Sequence, residues 1–159
     1  MMATTSSNFL PTVNSEVAAL GTFIALLESE QRMLIAGEVD GLLELVGQKN
    51  GLAAELAALA SRRTRLLAAS GLASDRAGVL AWFDAYPAET RARAAWASLL
   101  TLASQARELN RVNGELIQVR MRSNAQALEI LLSSNTSAGL YGPDGQSTPV
   151  GGGRISDSA

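Results

Sequence analysis

The spacing of apolar residues predicts a chain built almost entirely from helices. In the first segment they recur mainly at intervals of three or four, which predicts a helix over residues 14–36. Its apolar positions are Val17, Leu20, Ile24, Leu27 and Leu34. The serine- and threonine-rich residues before position 14 are expected to fray. Gly37 and Gly41 then break the pattern, and Asp40 is expected to cap the next helix.

A heptad pattern predicts a second helix over residues 41–70, with one face directed at a partner helix. That face carries Leu42, Leu45, Lys49, Leu52, Leu56, Leu59, Arg63 and Leu66. A short third helix is expected over residues 75–86. Its large side chains recur at helical spacing and are expected to close one end of the bundle as core. They are Val79, Trp82, Phe83 and Tyr86.

Pro87 suits the first turn of a fourth helix, expected over residues 88–134. That helix would be roughly 70 Å long, against about 45 Å for the second. Either the bundle covers only one half of it, or the Gly37–Gly41 break is a kink in one long hairpin. We favour the first alternative. The predicted fold is therefore all-α: an elongated antiparallel helical bundle or coiled-coil hairpin, one domain over residues 1–135, with a flexible Gly/Ser-rich tail over 136–159.

Composition narrows the chemistry. The chain has no cysteine and no histidine, which excludes disulfides, thiolate and imidazole catalysis and most zinc sites. Its net charge of −2 argues against nucleic acid as a partner. Glutamates on the helices are expected on solvated faces, namely Glu28, Glu30, Glu44 and Glu55. We therefore expect no enzyme, no cofactor and no metal.

The N-terminal segment does not resemble a targeting signal. No charge precedes Glu16, and the strongly apolar run from Val17 to Leu27 is shorter than the roughly 20 residues that span a bilayer. The expectation is a soluble, cytoplasmic protein without stable membrane insertion.

The middle of the fourth helix places polar residues on an apolar face. Asn110, Asn113 and Gly114 lie beside Leu109 and Leu116, although asparagine and glycine are poor helix formers. One interpretation is a buried polar layer that fixes helix register. The other is a groove wall, in which amides pair with polar groups of a ligand while the neighbouring apolar side chains receive its apolar residues.

Three motifs resemble one protein family. They are the segment Asn110-x-x-Asn113-Gly114-x-Leu116-Ile117, the following Asn124-x-x-Ala127-Leu128, and the tail segment Leu140-Tyr141-Gly142-x-Asp144-Gly145. Together they look like the FlgN-like flagellar export chaperones, over about residues 20–145. The Gly37-x-x-Asp40 break is similar too.

The resemblance implies a non-enzymatic cytoplasmic chaperone. Such proteins hold the C-terminal helical segments of the hook-associated proteins FlgK and FlgL, prevent premature assembly, and deliver them to the flagellar type III export apparatus. We expect the client surface to comprise Leu109, Val112, Asn113, Leu116, Ile117, Val119, Asn124, Leu128 and Leu131. A second hypothesis is that the tail, through Leu140 and Tyr141, covers this groove when no client is bound. The competing interpretation is a structural homodimeric coiled coil without a dedicated client.

Overall fold

A computed structural model shows four helices and, within the part of the chain that it describes, no strand. The backbone is described for residues 2–139 and the side chains for residues 7–134. The helices are α1 (Met2–Ala36), α2 (Leu42–Ala69), α3 (Arg76–Ala85) and α4 (Thr90–Gly139). The predicted all-α bundle is confirmed.

Helix α1 begins at Met2, so the expectation of a frayed segment before residue 14 is wrong. Phe9 and Val13 are fully buried, and the Phe9 ring stacks on Trp82 with 4.1 Å between ring centroids. One polar side chain of this segment bonds to the helix itself: the Thr12 hydroxyl donates to the Asn8 carbonyl at 2.8 Å. Tertiary packing here outweighs the weak helix preference of serine and threonine.

Residues 37–41 form a true turn, so α1 and α2 are two antiparallel helices. Gly37 and Gly41 have φ of 73° and 87°, a conformation that favours glycine. The expected cap is wrong, because Gly41 occupies the N-cap position and no side chain caps α2. Glutamates Glu16 and Glu30 of α1 pair with basic residues of α2.

Antiparallel pairing follows directly from the positions of these ion pairs. Glu30 pairs with Lys49, and Glu16 pairs with Arg63. In each pair the two partners lie equally far along the chain from the turn. Every residue of the predicted heptad face is buried or half-buried. The heptad prediction is therefore confirmed.

A tight corner joins α2 to α3. Asp75 caps α3 by accepting a hydrogen bond from the Gly78 N–H at 3.0 Å. A Cβ at position 78 would lie 1.7 Å from the Ala73 carbonyl oxygen, so only glycine fits. This close approach lets α3 fold back over the end of the bundle.

The aromatic cluster closes that end, as the sequence predicted. Trp82 and Phe83 are buried, and they meet Phe9 of α1 in stacked and edge-on contacts. Tyr86 lies against Trp82, with 4.8 Å between the ring centroids. The core then continues through all four helices, and its buried members are Phe9, Val13, Leu20, Ile24, Leu27, Leu67, Val79, Trp82, Phe83, Ala92, Leu99 and Ala106.

The chain divides into two compact units, Met1–Leu116 and Ile117–Ala159. In the first, α4 contributes Ala92, Leu99 and Ala106 to the core. In the second, every described side chain, from Ile117 to Ser134, is exposed. The predicted domain boundary at residue 135 stays a prediction.

Among the described residues, one helix, Ser7–Ala36, is long and apolar enough to cross a membrane by length and composition alone. The sequence estimate, based on the shorter run to Leu27, did not anticipate this. Phe9, Val13, Leu20, Ile24 and Leu27 of this helix lie in the bundle core, and its glutamates Glu16 and Glu30 are paired with α2. A core helix of a bundle has these properties.

Because Phe9 is fully buried against Trp82, we expect Phe9→Ala to lower the free energy of unfolding by about 3–5 kcal/mol. Urea unfolding followed by circular dichroism measures the change. Asn14→Ala is the matched control, since Asn14 is exposed on the same helix and its loss should cost less than about 0.5 kcal/mol. Equal effects of the two substitutions would contradict the placement of Phe9.

Candidate functional site

A buried polar layer surrounds Asn113. This side chain is 1% exposed, and its amide donates to the Leu27 carbonyl at 2.8 Å and to Glu30 Oε1 at 2.9 Å. Glu30 also accepts from Lys49 Nζ, at 3.0 Å to each carboxylate oxygen. One residue from each of α1, α2 and α4 therefore meets in a single charge-assisted network.

The layer corrects two expectations. Asn113 lies inside the bundle, where its hydrogen bonds fix the position of α4 against α1, so it does not present its amide to a ligand on a groove wall. Glu30 is 3% exposed and therefore does not lie on a solvated face. A buried carboxylate is tolerated because Lys49 and Asn113 supply its charge partner and a further hydrogen bond.

A second buried ion pair lies nearer the aromatic end. Glu16 accepts a hydrogen bond from Arg63, whose guanidinium lies over the Trp96 ring at 5.0 Å from the centroid. Burial raises the pKa of Glu16 above its ordinary value of 4.5, and this outweighs the lowering by the charge and hydrogen bond of Arg63. The pair joins α2 to both α1 and α4.

The remaining predicted client residues fall into two groups. Leu109, Val112 and Leu116 are half-buried, and Leu109 packs against the core. The others are exposed: Ile117, Val119, Asn124, Leu128 and Leu131. Surface exposure of large apolar side chains in such density is a feature of interaction sites.

The exposed residues define an apolar stripe, which we take as Ile117, Met121, Leu128, Leu131 and Leu132. Their exposed fractions run from 39% to 66%. At about 100° per residue these five side chains lie on one face of α4, with Asn124 among them. Val119 falls on nearly the opposite side of the helix from Ile117. The stripe extends over about four helical turns, roughly 22 Å.

Sequence reasoning missed Met121 and Leu132. Counting about 100° per residue from Leu109 places both residues outside the sector of α4 that contains the predicted client side chains. Starting from Ile117 instead, the spacing of four, eleven and fifteen residues recovers Met121, Leu128 and Leu132. The helical spacing of these residues is therefore visible in the sequence when it is counted from Ile117, and not when it is counted from Leu109.

Ion pairs on the exposed side of α4 stabilise the segment around Gly114, which contains residues of low helix propensity. Arg111 bonds to Glu108 at 2.7 Å and to Glu115 at 2.6 Å, one turn away in each direction. Its hydrogen bond and charge lower the pKa of Glu108. A Cβ at Gly114 would meet no atom within 4 Å. The bundle itself therefore does not require glycine there.

Within the described part of the chain, no group of three or more acidic side chains is placed to hold a metal ion. The predicted tail motif, Leu140, Tyr141, Gly142, Asp144 and Gly145, lies outside the described residues. Its role stays a prediction.

Comparison with known proteins identifies the family. The profile of the FlgN protein family matches residues 1–149. The chain belongs to the FlgN family. Its match covers the buried polar layer, the stripe and the tail motif, so the resemblance noted from the three sequence motifs is confirmed.

Individual FlgN relatives match over similar lengths. The flagella synthesis protein FlgN of Proteus mirabilis is 30% identical over 137 residues, covering 85% of this chain and 86% of the relative. The FlgN protein of Yersinia enterocolitica is 34% identical over 137 residues, covering 79% and 84%. No solved structure matches the chain. These relatives place the chain among flagellar synthesis proteins.

The buried layer predicts a sharp contrast between two asparagines one turn apart. Asn113→Ala removes both hydrogen bonds and leaves Glu30 under-satisfied, so we expect a loss of about 1–3 kcal/mol in the free energy of unfolding. Asn110→Ala is the control: Asn110 is exposed, and alanine is the better helix former, so stability should stay level or rise slightly. A comparable loss in the control would refute the layer's role.

The raised pKa of Glu16 predicts a pH dependence. Above pH 4.5 the unfolded state releases a proton that the folded state retains. The stability that the protonated Glu16 carboxyl gives to the folded state is therefore lost as the pH rises through the folded-state pKa. We expect the free energy of unfolding, relative to Glu16→Gln, to fall as the pH rises above about 4.5. Urea titrations of both proteins give this difference. A constant or rising difference would mean that the pKa is not raised.

Proposed function

We propose that this FlgN-family protein is a flagellar export chaperone whose apolar stripe binds the C-terminal helical segments of the hook-associated proteins FlgK and FlgL. The observation that carries the proposal is the stripe itself: five large apolar side chains on one helix face, all exposed. A helix that leaves such a face open in water gains stability only when another apolar surface covers it.

The dimensions of the stripe favour a helical client. Roughly four turns of α4 match a partner segment of about 15 residues, and anchors at spacings of three and four residues suit a second amphipathic helix. Asn124 lies among the apolar side chains, where its amide offers hydrogen bonds that orient the client. Leu109, Val112 and Leu116 stay predicted client residues, though each is already half-buried.

Covering these side chains would also explain how assembly is delayed. If the client segment is the one that pairs with other subunits, its apolar face is occupied while the chaperone holds it. Release needs only reversible binding, so the proposed cycle involves no enzyme activity and no cofactor. We place it in the cytoplasm, with delivery to the flagellar type III export apparatus as its final step.

The same stripe also supports a second candidate function, a structural homodimer. Two copies of α4 would bury the stripe against each other in a coiled coil. Dilution distinguishes the two functions. A dedicated dimer stays dimeric on dilution and does not bind client peptides. A chaperone either binds client at a concentration at which it is monomeric, or its self-association is replaced by client binding.

We expect Leu128→Asp to weaken binding of a FlgK C-terminal helical peptide by at least about tenfold, since a buried carboxylate in the interface would be unpaired. Isothermal titration calorimetry gives affinity and stoichiometry, and Met121→Asp should act alike. Gln126→Asp is the matched control, because Gln126 lies on the face of α4 opposite the stripe. This substitution introduces the same negative charge.

All three positions are exposed, so thermal unfolding should change little and a loss of binding can be assigned to the surface. Unchanged affinity in Leu128→Asp and Met121→Asp would remove the stripe as the client site. Absence of binding by a wild-type protein that stays dimeric on dilution would favour the structural coiled coil.

A further inference from the structure

The first unit carries a cleft that the proposed function does not use. It has a volume of about 460 Å³ and lies where α2, the start of α3 and α4 meet. Three arginines line it, each from a different helix: Arg63, Arg76 and Arg107. The single acidic side chain among its lining residues is Asp75. The cleft is thus locally cationic on a chain whose net charge is −2.

The charges of this cleft are unevenly compensated. Arg63 is held in place by Glu16 and by the Trp96 ring. Arg76 and Arg107 are exposed, and neither has an acidic side chain within 4 Å among the described residues. The Asp75 carboxylate already accepts the Gly78 N–H as the cap of α3. Two cations therefore remain available to an incoming anionic group.

The walls between the arginines are elongated and partly apolar. Trp96, Leu100, Ala103 and Arg107 follow one another on a single face of α4, over roughly 16 Å. Val79 of α3 adds an apolar wall, and Ser74 and Ser104 add hydroxyl groups. A small anion would use the guanidinium groups but leave these apolar surfaces uncovered. A peptide of about three helical turns would cover both.

We propose that this cleft binds an acidic peptide segment of a partner protein, one in which carboxylates alternate with apolar residues. Carboxylates would pair with Arg76 and Arg107, because guanidinium groups match carboxylates in a bidentate geometry. Apolar side chains of the peptide would cover Trp96 and Leu100. Arg63, already fixed by its two contacts, offers its remaining N–H donors without further loss of side-chain entropy. This site is separate from the stripe and does not rest on the client proposal.

A displayed library of random peptides about twelve residues long tests the proposal, since that length matches the cleft. The library is selected in parallel on the wild type, on Arg76→Glu/Arg107→Glu, and on the control Arg65→Glu/Arg91→Glu. The control arginines are exposed, lie outside the cleft and carry the same change of charge. A fourth arm, Leu128→Asp, disables the stripe while leaving the cleft intact.

We expect the wild type, the control and Leu128→Asp to enrich peptides rich in aspartate and glutamate. Arg76→Glu/Arg107→Glu should lose that enrichment, and a synthetic copy of a selected peptide should bind it at least about tenfold more weakly than it binds the wild type. Because the Leu128→Asp arm retains the acidic peptides, failure of the client proposal would leave this result unaffected.

Three outcomes would overturn the assignment. They are no enrichment of acidic peptides by the wild type, an equal loss in the cleft and control variants, and complete displacement of the selected peptide by inorganic phosphate at comparable concentration. The last would show a small-anion site. Thermal unfolding checks that the variants fold, and the milder Arg76→Gln and Arg107→Gln replace the double variant if it does not.

Discussion

The carboxylate of Glu30 is the group on which the arrangement of three helices depends. It is buried on α1, where Lys49 of α2 compensates its charge and the amide of Asn113 of α4 donates a hydrogen bond to it. Apolar packing alone tolerates sliding and rotation of one helix against another, because one leucine contact replaces another at little cost. A buried carboxylate does not tolerate this, since an unpaired charge in the interior is strongly unfavourable. The polar layer thus selects one register among many that the leucines would accept.

The two parts of α4 differ in whether their side chains are held by neighbouring helices. Up to Leu116 the helix is tied to its neighbours through Asn113 and the core residues. From Ile117 to Leu132 its large apolar side chains are exposed, although they resemble core residues in type. A sequence that minimised exposed apolar area would have made these positions polar. Their retention is explained if the exposed face serves an association, which is why the proposal places the client there.

Sequence reasoning predicted those features that repeat and missed those that depend on single distant contacts. The heptad of α2 and the spacing of Val79, Trp82 and Phe83 identified buried faces correctly, because periodicity records burial directly. The start of α1 was not predictable in this way, since Phe9 becomes a core residue only by stacking on Trp82, far along the chain. Asn113 was ambiguous for a similar reason. An asparagine on an apolar face is compatible with a register layer or a ligand contact, and only its partners decide.

The two ion pairs between α1 and α2 have a consequence for changes in chain length. In both pairs, Glu30–Lys49 and Glu16–Arg63, the partners meet because they lie equally far along the chain from the turn at 37–41. One residue inserted into α2 before Lys49 would rotate both basic side chains by about 100° about the helix axis and separate each from its glutamate. The same residue added within the turn leaves the helical phase of either arm free to adjust. Insertions and deletions are therefore tolerable at the turn and costly within the hairpin arms, whatever residue is added.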